Sequence, residues 1–331
     1  MLKNVTVIGS GSWATALVKL FSDNGTKVAW LVRNKEQAEF IKTNGHNPRY
    51  LSFAMLNMEL IQATTNVQKA IDQSGLIVFA VPSAYFKKTV EQIDPELLVD
   101  KQLAVSIKGL IPGTGFTPSL FLQKYLGKKA DAKIMVMGGP CHAEEVANQK
   151  STYITISAED PKWVDKVCKS LKSNYTHAIA NNDPIGIEYA SIIKNIIGIS
   201  TGIANGLHYG DNFQAVLVSN AMREAARFLN AVDPRKRDLF HSAYFGDLLV
   251  TAYSDFSRNR TLGKLVGRGI HVNKALQAME MIAEGFHASK ELAPFQAKSK
   301  IKMPVVNAVH RILHQHANPY HEFKLLENQL T

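Results

Sequence analysis

NVTVIGSGSWA, at residues 4–14, joins a short apolar run to a pair of glycines. Asn4–Ile8 has the composition of a β-strand, and Gly9–Ala14 fits the pattern G-x-G-x-x-G/A at the start of a helix. In that pattern Gly9 permits a tight turn, Gly11 lets the backbone approach a pyrophosphate, and the small Ala14 allows close packing of helix and strand. The helix N-terminus offers its unpaired N–H groups to the anion. The stretch therefore predicts a dinucleotide-binding fold.

Strand-like and helical segments alternate through the first half of the chain. A helix is predicted over Trp13–Ser22, and several of the strand-like runs are continuously apolar, as in strands buried on both faces. The predicted strands are Asn4–Ile8, Lys27–Val32, Leu76–Val81, Leu103–Ile107 and Lys133–Met137, with Thr152–Ser157 and Tyr175–Ala180 as extensions. This alternation predicts an α/β fold with a Rossmann-type, doubly wound, mostly parallel sheet.

Helical periodicity replaces the strand-like runs in the second half. The helices predicted there are Ile187–Leu207, Gln214–Leu229, Leu262–Val266 and Asn273–Ile282. The change falls at Asn181-Asn-Asp-Pro184, a turn and helix-start signal. We therefore expect a dinucleotide-binding domain over residues 1–182 and an all-helical, substrate-binding C-terminal domain over residues 183–331.

Composition and charge exclude several classes of protein. The chain has 331 residues, 46% of them hydrophobic and 20% charged, as in a globular protein with real cores. It has neither a signal peptide nor an apolar run long enough for a membrane span, so stable membrane insertion is not expected. The two cysteines lack metal-site or redox spacing, which favours a reducing, cytoplasmic location.

The formal net charge of +10 is spread along the chain. Its densest basic cluster, Arg235–Arg237, is interpreted as a solvated helix start. Without a basic stripe or a recognisable module, no nucleic-acid binding is predicted. The positive balance instead suits small phosphorylated ligands. Base rates favour a homodimer.

Eight segments, in order, resemble the bacterial NAD(P)-dependent glycerol-3-phosphate dehydrogenase family. They are Gly9–Trp13, Asn47–Leu51, Val81–Ser83, Ser106–Leu110, Gly139–Val146, Gly186–Asn195, Gly246–Leu248 and Ser257–Arg260, within a resemblance that spans about residues 4 to 290. The resemblance implies an oxidoreductase that interconverts sn-glycerol 3-phosphate and dihydroxyacetone phosphate by hydride transfer with NAD or NADP. It also implies a role in supplying glycerol 3-phosphate for glycerophospholipid synthesis.

Lys194 is the predicted catalytic residue. It interrupts an otherwise apolar helix, where burial is costly and desolvation lowers a lysine pKa toward values useful in acid–base catalysis. The alternative is a surface lysine whose stem covers apolar neighbours. The resemblance matches Lys194 to the family's catalytic lysine, and the adjacent Asn195 to a substrate-binding residue.

Three further polar residues are predicted beside Lys194. Lys108 follows a strand, at the edge of the sheet where doubly wound folds bind ligands, and the resemblance gives it contacts with both substrate and cofactor. A second cation there would further lower the pKa of Lys194. Asp247 and Thr251 are four residues apart, hence on one helical face, in a position to bond substrate hydroxyls and orient Lys194. The alternative for Asp247 is a helix-start residue that stabilises the helix dipole.

The resemblance assigns the other predicted binding residues. It places the substrate phosphate on Arg258 and Asn259, where the guanidinium is the favoured fork for phosphate, and it makes Ser257 a further substrate-binding residue. Gly139 and Cys141 complete the predicted substrate site. The predicted cofactor site comprises Gly9, Gly11, Ser12, Trp13, Arg33, Lys108, Ala143, Arg258, Ile282 and Glu284.

Arg33 bears on the choice of cofactor. NAD-selective sites usually carry Asp or Glu at the end of the second strand, to bond the ribose 2′-hydroxyl. Arg33 stands there in this chain, so NADPH is expected to be accepted. The alternative is a solvated surface arginine.

The chain departs from the family's pattern at three places, and two rival functions also fit it. Ala14 stands where the family usually has the third glycine of the turn, and Tyr50–Phe53 replaces the family's Tyr-Leu-Pro-Gly stretch. Cys141 stands where serine or asparagine is common. One rival is a related two-domain dehydrogenase of a 3-hydroxy acid or of ketopantoate, whose substrate carboxylate Arg258 could bind. The other rival is a non-catalytic NAD(P)-binding sensor. The histidines of His310–His316 are interpreted as a solvated tail, and no metal site is predicted.

Overall fold

A computed structural model describes residues 2–127, 134–279 and 281–331, without the side chains of residues 296–299. The chain forms two compact units. One comprises Met1–Ile107 and Pro118–Pro184, and the other comprises Lys108–Thr117 and Ile185–Thr331. Lys108 therefore belongs to the second unit, although the strand before it belongs to the first.

The first unit is built on one sheet. Within the described residues, eight strands lie in the order β3-β2-β1-β4-β5-β6-β7-β8, and every neighbouring pair is parallel except β6 with β7. The strands are β1 Asn4–Ile8, β2 Lys27–Leu31, β3 Ile61–Thr64, β4 Leu76–Phe79, β5 Gln102–Val105, β6 Ile134–Gly138, β7 Thr152–Ser157 and β8 Thr176–Asn181. This confirms the predicted doubly wound, mostly parallel sheet. The predicted start of β6, Lys133, lies outside the described residues.

Helices connect these strands. They are α1 Ser12–Asp23, α2 Lys35–Asn44, α3 Val67–Asp72, α4 Ser83–Glu91, α5 Glu96–Val99, α6 Pro118–Leu126, α7 Ala143–Ala147 and α8 Pro161–Leu171. The strand order reverses between β1 and β4, and ligands of doubly wound folds bind outside the carboxyl ends of the strands at such a point. The Gly9–Gly11 turn follows β1 there and leads into α1.

The second unit is helical in its described residues, as predicted. Its helices are α9 Pro184–Gly206, α10 Asp211–Val232, α11 Asp247–Tyr253, α12 Arg258–Gly267, α13 Val272–Gln277, α14 Glu284–Ser299, α15 Pro304–His314 and α16 Pro319–Glu327. A π-helical turn, Ser242–Gly246, leads directly into α11. The helix predicted over Asn273–Ile282 ends earlier, at Gln277. Ala283 has an extended backbone and directly precedes α14. No helix of the described residues is long and apolar enough to cross a membrane.

Glycines let α9 and α12 pack closely. A Cβ on Gly202 would overlap the carbonyl oxygen of Arg260, and a Cβ on Gly263 would overlap that of Ile199. Because glycine has no side chain, the two backbones can approach to a distance that larger residues forbid. The contact fixes the start of α12 beside the middle of α9, the helix that carries Lys194.

Two expectations about polar clusters are wrong. Arg237 does not start a helix: its side chain is buried and donates to the carbonyl oxygens of Leu229 (3.3 Å) and Asp233 (2.6 Å), at the end of α10. A cation at a helix C-terminus satisfies carbonyls that have no partner within the helix.

The histidine-rich segment is not a solvated tail throughout. His310 Nδ1 donates to the Ser289 carbonyl oxygen (3.0 Å), and His314 Nε2 lies 2.9 Å from Ser289 Oγ. Burial and the nearby His310 lower the pKa of His314 to about 4. These histidines join α15 to α14, whereas His316 is exposed. The described residues contain no cluster of three or more groups able to hold a metal ion.

Candidate active site

Lys194 is buried inside the helical unit. It lies midway along α9, among apolar residues such as Ile193 and Ile197 that are fully buried, and is itself 6% exposed. A charged group in such a place needs partners, because an isolated ammonium loses far more solvation energy than packing returns. The alternative of a surface lysine is therefore wrong.

Asp247 and Thr251 are the partners of Lys194. The Lys194 Nζ donates to Asp247 Oδ1 at 2.5 Å and to Thr251 Oγ1 at 2.7 Å. The Thr251 hydroxyl in turn donates to the Asp247 carbonyl oxygen at 2.8 Å, one turn earlier in α11. The predicted shared face of these two residues thus lies against the lysine. Asp247 is the first residue of α11, but its N–H is already bonded to carbonyl oxygens of the preceding π-helical turn, so the alternative of a residue that stabilises a free helix start is wrong.

Asp247 binds a second ammonium group. Lys108 Nζ lies 2.9 Å from Asp247 Oδ2 and 3.2 Å from Oδ1, so a single carboxylate that is 1% exposed holds two lysines. Asn195 keeps Lys108 in place, because its Nδ2 donates to the Lys108 carbonyl oxygen at 2.7 Å.

The surroundings lower the pKa of Lys194 to about 8. Burial is the largest cause, since it disfavours the charged form. The carboxylate of Asp247 acts in the opposite direction, and the positive charge of Lys108 adds to the lowering. A lysine with this pKa can give up and take back a proton near neutral pH, as a general acid–base group must.

The start of α12 lies beside this cluster. Gly198, one turn after Lys194, is the contact point: a Cβ there would lie 2.8 Å from Thr251 Cγ2, 3.3 Å from Asn259 Cβ and 3.5 Å from Ser257 Oγ. Ser257 caps α12, its Oγ accepting from the Arg260 N–H at 3.3 Å. The predicted phosphate residues and the predicted catalytic lysine are therefore neighbours. The half-buried Arg258 is the first residue of α12.

The glycine turn of the sheet unit has the backbone that its sequence predicts. Gly9 has a φ of +140°, and a Cβ on it would overlap the Ala80 carbonyl oxygen, so only glycine fits. Gly11 precedes α1 without a side-chain cap, and no heavy atom of the described residues lies within 4 Å of where its Cβ would be. The turn therefore fits a pyrophosphate, which needs close backbone approach and uncapped N–H groups.

Residues around the turn hold it in place. Ser12 is buried at the start of α1, and the Trp13 indole N–H donates to Ser106 Oγ at 2.7 Å. Arg33 is exposed just after β2. Its predicted contact with a 2′-phosphate stays a prediction.

Asn47 is a supporting residue whose role the sequence did not reveal. It is fully buried, and its Nδ2 donates to the Ser10 carbonyl oxygen (3.2 Å) and to Thr15 Oγ1 (2.8 Å). Its Oδ1 accepts from the N–H groups of Arg49 and Tyr50. Asn47 thus fixes the direction of the peptide inside the glycine turn. The available signal was its place in one of the eight resembling segments.

Three other predicted ligand residues lie in the sheet unit. Gly139 has a φ of +105°, and a Cβ there would lie 2.8 Å from the Tyr153 carbonyl oxygen, so its glycine is required by the backbone. The Cys141 thiol donates to that same oxygen at 3.1 Å, and Ala143 begins α7. These contacts give the three residues structural roles within the sheet unit. Their predicted contacts with substrate or cofactor stay predictions.

Ile282 and Glu284 lie in the helical unit at the start of α14. Glu284 is its first residue, and Ile282 lines a cavity of about 290 Å³ together with Leu276, Met279, Met281, Ala283, Phe286 and His287. The cavity is mostly apolar in its lining. The predicted contact of these two residues with the cofactor stays a prediction.

The chain is similar to known proteins over most of its length. The family model for the NAD-dependent glycerol-3-phosphate dehydrogenase N-terminus matches residues 4–164, and that for the C-terminus matches residues 183–324. A glycerol-3-phosphate dehydrogenase [NAD(P)+] of an Exiguobacterium species is 33% identical over 325 residues, 98% of this chain and 95% of that protein. One of Staphylococcus aureus is 32% identical, covering 94% of each chain. The crystal structure of glycerol-3-phosphate dehydrogenase from Coxiella burnetii has a TM-score of 0.91 at 27% identity, covering 98% of each chain.

Proposed function

The chain belongs to the NAD-dependent glycerol-3-phosphate dehydrogenase family, and on that premise we propose how it interconverts glycerol 3-phosphate and dihydroxyacetone phosphate with NAD or NADP. Lys194 exchanges the proton at the reacting oxygen, Asp247 and Thr251 orient Lys194, and the start of α12 holds the phosphate. The observation that carries this mechanism is a buried lysine ammonium, 2.5 Å from a buried carboxylate and with its pKa lowered to about 8.

Reduction of the ketone needs a proton at the oxygen that becomes the alcohol. The nicotinamide supplies the hydride when the cofactor is bound. Lys194 donates the proton from Nζ to the carbonyl oxygen as negative charge develops there, and takes it back from the alcohol in the reverse direction. Its ammonium also stabilises the developing alkoxide before the proton moves.

Asp247 has to hold Lys194 without permanently retaining its proton. A carboxylate that bound only one lysine would strengthen the ammonium form, whereas Lys108 shares this carboxylate and repels the charge on Lys194. Thr251 accepts from the Lys194 Nζ and donates its own hydrogen to the Asp247 carbonyl oxygen, so it fixes the direction of the amine. Together they aim Lys194 and leave its proton transferable.

Phosphate recognition belongs to Arg258 and Asn259. Both lie in the first turn of α12, a ten-residue helix, where the helix dipole favours an anion. The Arg258 guanidinium adds charge-assisted hydrogen bonds, which hold a phosphate in a defined orientation. Gly198 keeps this turn close to Thr251, the partner of Lys194, so the phosphate is placed on the side of α9 that also faces the lysine's partners.

The glycine turn of the sheet unit would hold the pyrophosphate of the dinucleotide. Gly9 and Gly11 permit the approach, and the uncapped start of α1 supplies donors. Arg33 is the proposed partner of a 2′-phosphate, and Ile282 and Glu284 are further proposed cofactor contacts. Gly139, Cys141 and Ala143 are included on the resemblance of their segment.

We infer that the chain acts as a cytoplasmic homodimer that supplies glycerol 3-phosphate for glycerophospholipid synthesis, without binding nucleic acid. Cys141 and Cys168 are thiols in the described part of the chain, which suits a reducing compartment. A symmetric dimer is the commonest assembly of soluble proteins.

Loss of NADH absorbance with three ketones tests the activity. Dihydroxyacetone phosphate is expected to be reduced with both NADH and NADPH, and ketopantoate and unphosphorylated dihydroxyacetone much more slowly. Faster reduction of ketopantoate would contradict the proposal and favour a site built for a carboxylate. Binding of cofactor without reduction of any ketone would indicate a sensor.

A further inference from the structure

Gly285 is the second residue of α14 and lies against two residues of the proposed substrate site. A Cβ on it would lie 2.5 Å from the Asn195 carbonyl oxygen and 2.9 Å from Asn259 Oδ1. Real Cβ atoms essentially never come this close to other atoms, so a larger residue would displace one of its neighbours. Alanine is otherwise better than glycine within a helix. Glycine at this position therefore allows the close approach to Asn195 and Asn259 and does not favour the helix itself.

The N–H of Gly285 forms a buried hydrogen bond with Asn259. It donates to Asn259 Oδ1 at 2.9 Å. Ala283, the residue that precedes α14, makes no side-chain cap, so Asn259 of α12 accepts from one of the N–H groups that a helix start leaves without an intrahelical partner. The start of α14 is thus tied to the start of α12.

This bond decides which end of the Asn259 amide faces the substrate. A side-chain amide has an acceptor oxygen at one end and two donor hydrogens on nitrogen at the other. Gly285 offers a donor, so the oxygen must turn toward it, and the nitrogen is turned away with its hydrogens. A phosphate takes only donors from an asparagine. An amide in the opposite orientation would present its oxygen to the anion and repel it.

The same glycine touches the helix of the catalytic lysine. Its contact is with the carbonyl of Asn195, the residue after Lys194, and the Asn195 side chain donates to the Lys108 carbonyl oxygen. Displacement of α14 therefore shifts the backbone next to both lysines. The stronger effect is still expected at Asn259, because there the contact includes a hydrogen bond with a defined direction.

We propose that Gly285 is a positioning residue for phosphate recognition, whose N–H orients the Asn259 amide so that its nitrogen faces the substrate phosphate. The inference rests on the proposed function, since it concerns the phosphate site of that reaction. Gly285 does not itself contact the phosphate in this arrangement. Its effect passes through Asn259.

Phosphate selectivity is the measurement that separates positioning from general damage. In Gly285→Ala, kcat/KM for dihydroxyacetone phosphate is expected to fall about 10- to 100-fold, as for loss of a hydrogen bond to a charged group. For unphosphorylated dihydroxyacetone it is expected to fall much less, so the ratio of the two values drops at least about tenfold. Equal proportional losses for both ketones would overturn the inference.

Gly210→Ala is the matched control. Gly210 also lies at a helix start of the same unit, directly before α10, with a φ of −78° and no heavy atom of the described residues within 4 Å of a Cβ. Its replacement is expected to leave the selectivity ratio unchanged. If wild type and Gly210→Ala both fail to reduce dihydroxyacetone phosphate, the proposed function fails and the inference with it. If both reduce it and Gly285→Ala keeps full selectivity, only the inference fails.

A double-mutant cycle tests whether Gly285 acts through Asn259. Asn259→Ala removes the amide, so adding Gly285→Ala to it is expected to change the selectivity ratio by less than about threefold. If the double variant instead shows the product of the two single-variant losses in selectivity, Gly285 affects phosphate recognition by another route and the inference is overturned.

Hydrogen exchange of the Gly285 amide tests the bond even if Gly285→Ala does not fold. The amide is expected to be protected in wild type and in Asn259→Asp, which keeps an acceptor oxygen, and to exchange at least about tenfold faster in Asn259→Ala. Asn259→Asp should nevertheless lose phosphate selectivity, because it replaces the donor end of the amide with negative charge. Unchanged protection in Asn259→Ala, or unchanged selectivity in Asn259→Asp, would overturn the inference.

Discussion

Lys194 and Asp247 form a buried ion pair, with 2.5 Å between Nζ and Oδ1 and side chains that are 8% and 1% exposed. Buried pairs of this kind seldom add stability, because the attraction between the charges only repays their lost solvation. Their value lies in the protonation state that they impose. Here burial and the charge of Lys108 lower the pKa of Lys194 more than the Asp247 carboxylate raises it, and the pKa is about 8.

Lys194→Met is expected to lower kcat for ketone reduction by about 10²–10⁴-fold, the usual contribution of a general acid. Methionine keeps most of the apolar stem and removes the proton donor. Cofactor binding should be retained, because the glycine turn belongs to the sheet unit. The matched control is Lys236→Met at an exposed position, which should keep kcat. Near wild-type kcat in Lys194→Met would require another acid, with Lys108 the next candidate.

The pH dependence of the reaction should follow the same lysine. Reduction needs the protonated form, so its kcat should fall as the pH rises through about 8, while oxidation of glycerol 3-phosphate, which needs the neutral amine, should rise over that range. Lys108→Met removes a charge that lowers the pKa, so the midpoint should move to higher pH. Asp247→Asn removes a charge that raises it, so the midpoint should move to lower pH. Steady-state pH profiles measure all three midpoints, and identical ones would show that Lys194 is not the titrating group.

The sheet and the long helices could be predicted from sequence because continuous apolar runs and helical periodicity are local signals. β3, Ile61–Thr64, escaped prediction because it has four residues with alternating burial and no apolar run. The site residues needed the resemblance. Asn47, Arg237 and Gly285 could not be given their roles in advance, because each depends on a partner distant in sequence or on a carbonyl that no sequence pattern marks.

Arg258→Ala should impair recognition of the phosphate ester selectively. It removes one or two charge-assisted hydrogen bonds, each worth about 1.5–3 kcal/mol, so kcat/KM for dihydroxyacetone phosphate should fall at least about tenfold. Unphosphorylated dihydroxyacetone should be affected much less. Arg260→Ala is the control, since Arg260 lies two residues further along α12 and pairs with Asp255 at 2.9 Å. Equal losses for both ketones in Arg258→Ala would show that Arg258 does not hold the phosphate.

Arg33→Asp should discriminate against NADPH. An arginine at the end of β2 attracts a 2′-phosphate, whereas an aspartate there repels it and bonds a free ribose hydroxyl. In wild type the kcat/KM values for NADPH and NADH should lie within about tenfold of each other, or roughly 1.4 kcal/mol. Lys27→Asp is the control, because Lys27 is an exposed cation at the opposite end of the same strand. If Arg33→Asp and Lys27→Asp affect NADPH equally, Arg33 acts only through general charge.

Glu224 is a carboxylate that is 1% exposed and joins α10 to α15. Its Oε1 accepts from the Val305 N–H at 2.7 Å and its Oε2 from the Val306 N–H at 3.2 Å, so it caps the start of α15. Burial raises its pKa from 4.5 to about 7, although both backbone donors favour the ionised form. The folded protein therefore binds this proton more tightly than the unfolded chain does.

The sign of the pH effect follows from that difference. The stabilisation from the raised pKa is fully present below about pH 4.5 and is lost as the pH rises to about 7, by roughly 3 kcal/mol in this window. Glu224→Gln keeps an acceptor for the Val305 N–H and cannot ionise. Thermal unfolding of both proteins between pH 4.5 and 8 should therefore show wild type losing stability relative to Glu224→Gln as the pH rises. A constant difference in Tm across this range would mean that Glu224 ionises in the fold as it does in water, because its two backbone donors then offset its burial completely.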